Sequence, residues 1–461
     1  MLVDNGVHGD SRVQKVAWSA ADAGWRVTLL GRSPGGPRSW QLGGAEVRLL
    51  PMPDPLARAS TLRRAALRWL RPRPAPAGSA APAATGSAAR TPGAKATLLT
   101  LARRAYRPWD HARTWFWLRV EGDAAWRRLD PELLDFEAAY GPVVDELAPD
   151  LIHAHDFRML GVGARAKMRA AAAGRRVRLV WDAHEFLPGM RPWRDNSRWL
   201  PAQRAHERAH APYADAVITV SDTLADLLRA EHGLIDRPAV VLNAPTNGHG
   251  PDDGAAVPDL RTACGVDAQT PLLVYSGVAL PQRGLPVMVE ALPRLPGVHV
   301  ALVVDDRGLP YVRAELLARA KRLGVADRVH LAPYVPHWQV ARYLSSADAG
   351  VIPVQRYLNY EIALVTKFFE YSHARLPLVV SDVRTMADTV RATGQGEVFR
   401  AGEVADYVRA VTAVLAAPGR YQAAYDKPGL LAGWTWDAQA EVVERVYARL
   451  AADHTSTRTR P

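Results

Sequence analysis

The sequence predicts an α/β protein made of two doubly wound halves that face each other across a cleft. Three observations carry that expectation. Short apolar runs alternate with segments of helical period along most of the chain, which is the rhythm of strand–helix–strand units and of a parallel sheet. The rhythm breaks at residues 58–120 and again at 246–270, dividing the 461 residues into blocks that each suit a domain. Polar residues gather where the apolar runs end, and sheets of this kind bind ligands beyond the carboxyl ends of their strands.

The first block, 1–245, opens on "MLVDN", an apolar strand beginning at Met1. The turn "GVHGDSR" leads into "VQKVAWSAADAG", a helix stopped by Gly24, and then into the strand "WRVTLLGR". After the break, "PDLIHAHDF" (149–157) and "VRLVWDAHEF" (177–186) read as strands with polar ends. "YADAVITVSDTLADLLRAEHG" (213–233) supplies a strand, Ser221 as helix N-cap, and a helix closed by Gly233. "AVVLNAP" (239–245) ends the block, and Gly, Asp and Pro dominate the connection that follows. In the second block, 246–432, the strands are "PLLVYSG", "VHVALVVDD", "RVHLAPYV", "AGVIPV" and "LPLVVSD". A last helix, from about Trp436 to Leu450, lies in a segment 433–452 expected to pack back toward the first block; residues 453–461 read as a disordered tail.

Three stretches carry candidate chemistry, each with an ordinary alternative. "YSGVALPQRG" (275–284) joins a strand through Gly277 to a helix entrance bearing Arg283, an arrangement that suits a phosphate; a plain turn with a solvated arginine explains the same residues. In "VTKFFEYSHARLPLVVSD" (365–382), Lys367 and Glu370 lie three residues apart on a helix, so a simple ion pair suffices. "HAHDF" and "DAHEF" place His153, His155 and His184 at strand ends, without the spacing of zinc ligands; no metal is expected.

Taken in order, these phrases resemble the GT-B fold retaining glycosyltransferases, in particular the family 4-like, group 1 enzymes. "DAHE", "ADAVITVS", "YSGVALPQRGL", "RVHLAPYVP", "SADAGVIP" and "KFFEYSHARLPLVVSD" all stand in the family's order, and the resemblance spans most of the chain outside 58–120. It implies two Rossmann-like domains, the first on the acceptor side and the second binding a nucleotide-diphosphate sugar as co-substrate, with no cofactor. On this resemblance Arg283 contacts the donor diphosphate and Glu370 holds the ribose hydroxyls. Gly277, Glu361, Lys367 and the helix start at Leu364, Val365 and Thr366 complete the donor side. His184 stands near the transferred sugar and counts with Arg283 and Glu370 as catalytic. The loop of Gly6, His8, Gly9, Asp10 and Arg12 closes over phosphate and acceptor. The implied reaction retains anomeric configuration without a metal, in cell-envelope or exopolysaccharide synthesis.

The chain departs from the family pattern twice. Val278 stands where an arginine usually follows the first loop's glycine, and Ile362 stands where the first of two paired glutamates belongs, Glu361 being one residue off. Lys367 is expected to restore the lost positive charge. A nucleotide-sugar 2-epimerase and a non-catalytic binding scaffold are the competing readings of the same fold.

The insert accounts for the chain's basicity. Residues 58–119 hold thirteen Lys or Arg and one acid, Asp110; this segment carries +12 against +11 for the whole chain. "RASTLRRAALRWLRPR" reads as a basic amphipathic helix, "PAPAGSAAPAATGSAARTPGAK" as disordered low complexity, and the remainder mixes arginines with tryptophans. Cations interleaved with Trp suit an anionic membrane surface, with nucleic acid or a merely solvated insertion as the rivals. A lipid-linked or glycan acceptor follows from the membrane reading. The single cysteine and the N-terminus, which lacks the basic and apolar regions of a signal peptide, lead to an expected cytoplasmic location, peripheral at the inner face of the cell membrane.

Overall fold

The computed structural model describes residues 1–52, 94–194, 196–246 and 256–456. The amphipathic helix read at 58–73 and all but the end of the low-complexity stretch lie outside them. Two α/β domains face each other, as the strand–helix rhythm implies.

In the second domain six parallel strands run β8 (Leu272–Ser276), β9 (His299–Val303), β10 (Val329–Ala332), β11 (Ala349–Ile352), β12 (Leu378–Ser381) and β13 (Gly396–Phe399). Their order across the sheet is β10-β9-β8-β11-β12-β13. The chain winds one way from β8, then returns to β8's other side through β11, so the sheet has its switch point between β8 and β11. β8 and β11 are buried at every position, as a central parallel strand covered on both faces must be. The edge strand β13 escapes the sequence reading: its "GEVF" has no apolar run and three of its four residues are only half-buried.

The first domain has the same plan. β1 (Thr28–Ser33), β3 (Ala45–Pro51), β4 (Leu151–His155), β5 (Arg178–Ala183), β6 (Ala216–Thr219) and β7 (Ala239–Val240) run parallel, and β2 (Arg38–Leu42) pairs antiparallel with β3. "MLVDN" makes only a bridge: Leu2 pairs with Leu30 on one side and Ala154 on the other, joining β1 to β4. The β2–β3 hairpin has a detectable signature, the two-residue Gly43-Gly44 connection between Leu42 and Ala45. Helix signals behave as written. Ser221 Oγ accepts from Leu224 N–H, and Gly233 ends the helix Asp222–His232 at φ +59°.

The last helix, Trp436–Ser456, belongs spatially to the first domain. Trp436, Val443, Val446, Tyr447 and Leu450 pack in one cluster with Val13, Val16 and Ala17 of the helix Ser11–Asp22. The chain therefore crosses between domains twice, at 246–256 and again near Trp436, which makes the cleft a shared construction.

Candidate active site

On the second domain's side, the chain leaves β8 through Gly277 at φ +114° and forms a short turn, Pro281–Arg283. Gly284 closes that turn at φ +70°; a Cβ there would lie 1.8 Å from the Pro353 carbonyl oxygen, so only glycine lets the loop rest against the end of β11. Gln355 N–H donates to Gln282 O at 3.0 Å and fixes the contact. Arg283 is thereby held half-buried at the switch point, its guanidinium 5.0 Å from the centre of the Tyr360 ring. Its buried Nε has no hydrogen-bond partner among the described residues.

The helix Thr366–His373 starts beside this loop. Its N-cap, Val365, has no side chain to satisfy the first N–H groups, which leaves donors and the positive end of the helix dipole for an anion. Lys367 is buried, and its side-chain nitrogen is turned toward Gly277: a Cβ on Gly277 would lie 3.4 Å from Nζ, and Nζ is 5.0 Å from the centre of the Tyr275 ring. Burial first, then the charge of Arg283, depress Lys367 to about 7, with Glu370 pulling the other way. Burial raises Glu370 above the usual carboxylate range, opposed by Lys367 and by Lys15 of the first domain. The i,i+3 pair read from sequence is thus a looser arrangement, in which Glu370 faces cations from both domains.

On the first domain's side, residues 5–10 form a loop, with Val7 strained at φ +67° and Gly9 at φ +79°. Its side chains are largely committed to building it. Asp10 receives Asn5 Nδ2 at 2.7 Å and caps the helix Ser11–Asp22. His8 is exposed and stacks on Trp40, ring centres 4.6 Å apart. Arg12 lines the cleft cavity at the start of the helix Ser11–Asp22 and is also engaged within the first domain. Its guanidinium is buried and donates to both carboxylate oxygens of Asp182, at 2.9 and 2.7 Å, and to Val241 O and Asn243 Oδ1.

Asp182 is the hub that sequence reasoning passed over. It sits two residues before His184, and the β4–β5 register sets it opposite His155. His153 Nε2, His155 Nδ1 and His184 Nε2 lie 3.4, 3.3 and 3.3 Å from its Oδ2. Burial works against its charge, but Arg12 and His184 prevail and hold its carboxyl well below the ordinary value. His155 is lowered as well, to about 3, chiefly by burial. His184 also approaches Asp156 Oδ2, through Nδ1 at 3.4 Å. Burial opposes its charge, yet the two carboxylates raise it well above the usual histidine range, which favours the protonated ring. The donor atoms of His153, His155 and Asp182 lie within 4.8 Å of one another, a closeness that linear spacing could not reveal. Arg12 already neutralises that carboxylate, which leaves a cation little electrostatic gain there.

The two sides meet over a cavity of about 350 Å³ lined by residues of the 5–12 stretch, His184, Asn243, Arg307 and Thr366. Glu185, next in the chain to His184, is exposed; desolvation by the surrounding protein and the charge of Asp156 push it up to about 7, against the charges of His184 and Arg283. A larger cavity, about 570 Å³ around Met1, Thr28, Leu151 and Tyr447, opens at the amino ends of the first domain's strands, the end that such sheets do not use for ligands.

The stretch before the helix Thr366–His373 is a latch between the domains. Asn359 receives Phe186 N–H at 2.9 Å and donates to Phe186 O at 3.2 Å, and Ser221 Oγ donates to Ile362 O at 2.6 Å. Ile362 is buried in the first domain's core, while Leu364 and Val365 pack on the second domain's. Glu361, expected in the donor site, is spent elsewhere: it accepts from Arg356 Nε at 2.8 Å and caps the helix Arg384–Thr393 through Arg384 N–H at 2.6 Å. The motif's first glutamate has therefore given way to an apolar anchor. Val278 contributes its carbonyl to the Tyr275 hydroxyl at 2.7 Å.

Residues 83–244 match the family described as Glycosyltransferase Family 4, and residues 258–427 match Glycosyl transferases group 1. The chain is a group 1 glycosyltransferase of the family 4 type. This glycosyltransferase is 28% identical over 316 residues to a D-inositol 3-phosphate glycosyltransferase of Actinosynnema mirum, covering 65% of its own chain and 72% of the relative. A second such relative, from Xylanimonas cellulosilytica, is 27% identical, with 59% and 72% covered. Among solved structures, the glycosyltransferase shares its fold with sucrose-phosphate synthase from Thermosynechococcus elongatus, at TM-score 0.63 and 17% identity over 96% of this chain and 93% of that one. It also resembles Anabaena HepE, solved in complex with UDP-glucose, at TM-score 0.54 and 19% identity over 68% and 82%.

Proposed function

We propose that this glycosyltransferase moves a sugar from a nucleotide-diphosphate donor to a glycan or lipid-linked acceptor, with retention of anomeric configuration and without a metal. The observation that carries the reading is the position of Lys367. The family's usual arginine is replaced by Val278, and the buried ammonium reaches the neighbouring Gly277 from another element, restoring a cation at the switch point next to Arg283. As the donor's glycosidic bond breaks, negative charge grows on the departing diphosphate. Arg283, Lys367 and the free N–H groups at Thr366 are fixed beforehand where that charge forms. Glu370, an acceptor-only carboxylate when ionised, suits two vicinal ribose hydroxyls. His184 faces the cleft cavity from the first domain.

The sign of the Lys367 shift makes a test. Because burial lowers its pKa to about 7, Lys367 is mostly neutral in the free protein at about pH 8 and is recharged by a bound diphosphate, with proton uptake. UDP-glucose affinity should accordingly fall roughly tenfold between about pH 7 and about pH 9. Calorimetry in buffers of different ionisation enthalpy reads the uptake directly. Lys367→Arg should bind with little pH dependence, and Lys367→Met weakly throughout; a pH-independent wild type would remove the role given to Lys367. If UDP-glucose does not bind at all, GDP- and ADP-sugars replace it as probes.

Retention has its own measurement. An α-linked donor should yield an α-linked product by NMR of the anomeric proton. A β-linked product would contradict the mechanism, and conversion of the donor to an epimer without acceptor would favour the epimerase reading.

A further inference from the structure

The helix Ala94–Glu121, which follows the low-complexity stretch, runs along the outside of the first domain. Its inner face is well occupied. Trp117 and Leu118 pack against Trp126, Leu129, Leu133, Ala202 and Ala205. Asp110, the one acid among the thirteen cations, is buried at 2% exposure; its carboxylate accepts from Ser197 N–H and Oγ at 3.1 and 2.7 Å and approaches Arg198 Nε at 3.3 Å. The insert's only negative charge is thereby removed from its surface.

The outer face is apolar where a soluble helix would be polar. Trp109, Phe116 and Val120 recur at helical spacing and are 57%, 49% and 60% exposed, with Trp115 beside them at 67%. Arg113 and Arg119 lie on the same helix, and no acid shares their stretch after Asp110 until Glu121, which is paired with Arg128 at 3.1 Å. Exposed tryptophans in a basic field are the chemistry of an interfacial helix: rings enter the headgroup layer and cations meet lipid phosphates. A nucleic-acid duplex would use the cations but keeps its base faces stacked away from exposed rings; a single strand can stack on such rings and is therefore a competitor in the test. Among the described residues no helix is long and apolar enough to cross a membrane, so contact would be from one side.

We infer that the outer face of this helix, around Trp109, Trp115, Phe116 and Val120, docks on an anionic lipid bilayer, with Arg113 and Arg119 of the same helix contributing to the attraction. The docking is independent of the donor chemistry proposed above and is read without it. The test is co-sedimentation of the full chain with phosphatidylcholine vesicles, with and without about a third phosphatidylglycerol. Wild type should bind the anionic vesicles at least about tenfold more tightly than the neutral ones, and less so as salt rises. Trp109→Ser, Trp115→Ser and Phe116→Ser combined should lose about tenfold on anionic vesicles while melting at the wild-type temperature, because these side chains are exposed. Equal binding to both vesicle types, full binding by the triple variant, or tighter binding to a DNA duplex or single strand at equal phosphate concentration would each overturn the inference.

Discussion

Arg283→Ala is expected to lower turnover by about a hundred- to a thousandfold, the size of effect seen when a preorganised charge-stabilising donor is removed. Loss of nucleotide-sugar affinity should be smaller, because the guanidinium does most for the charge that appears as the glycosidic bond breaks. The residue sits on a half-buried turn and stacks over Tyr360; its removal should leave the melting temperature nearly unchanged. A second readout follows from its neighbour. Arg283 is one of the charges holding Lys367 down, so the variant should move the Lys367 titration upward and flatten the pH dependence of binding above neutrality. Steady-state kinetics with a donor that shifts the wild-type melting temperature checks the first effect. Wild-type turnover in the variant would leave the diphosphate without its stabilising cation and would end the assignment.

Asp182→Asn should cost about 3–5 kcal/mol of stability, since it strands the buried Arg12 guanidinium without its counter-charge. A fall in melting temperature on the order of 10 °C would report it. The double replacement Arg12→Met with Asp182→Leu should recover much of that loss, because an apolar pair avoids both desolvation penalties. The pH dependence has a definite sign. The folded-state carboxyl of Asp182 lies below its unfolded value, so its contribution is present above about pH 4 and disappears as the pH falls further. His184 contributes in the opposite sense: its raised value stabilises the fold below about pH 6.5, and this is lost as pH rises through the higher folded value. Removing Asp182 deletes one of the two carboxylates that keep His184 charged, so its titration, followed by NMR, should move down. An unchanged melting temperature in Asp182→Asn would refute the buried-hub description.

Local signals were reliable where the information is local. Ser221 and Gly233 bracket their helix because a hydroxyl cap and a left-handed glycine are properties of a few neighbouring residues. Gly277 and Arg283 were legible for the same reason: the loop that carries them lies between one strand and one turn. The weak edge strand β13 and the bridge at Leu2 were not, since their strandedness comes from neighbours far along the chain.

The candidate site divides in the same way. Glu361, Asp10 and Arg12 have the residue types that phosphate and sugar sites use, and sequence cannot show that a helix start, a loop or a buried aspartate has already claimed them. Asp182 and Glu185 carried no independent signal, because their importance depends on what β4 and the facing domain bring to them.

By itself the sequence determined the doubly wound plan, the family resemblance, and the two stretches proposed for the donor side, because apolar period and turn residues act over a few positions at a time. Only the folded chain decided that Lys367 reaches Gly277, that Ile362 fastens one domain to the other, and that Asp110 is hidden while Trp109 and Trp115 are not. Those outcomes depend on charges and side chains separated by tens to hundreds of residues, whose competition for the same partners is settled when the two sheets close on a common cleft.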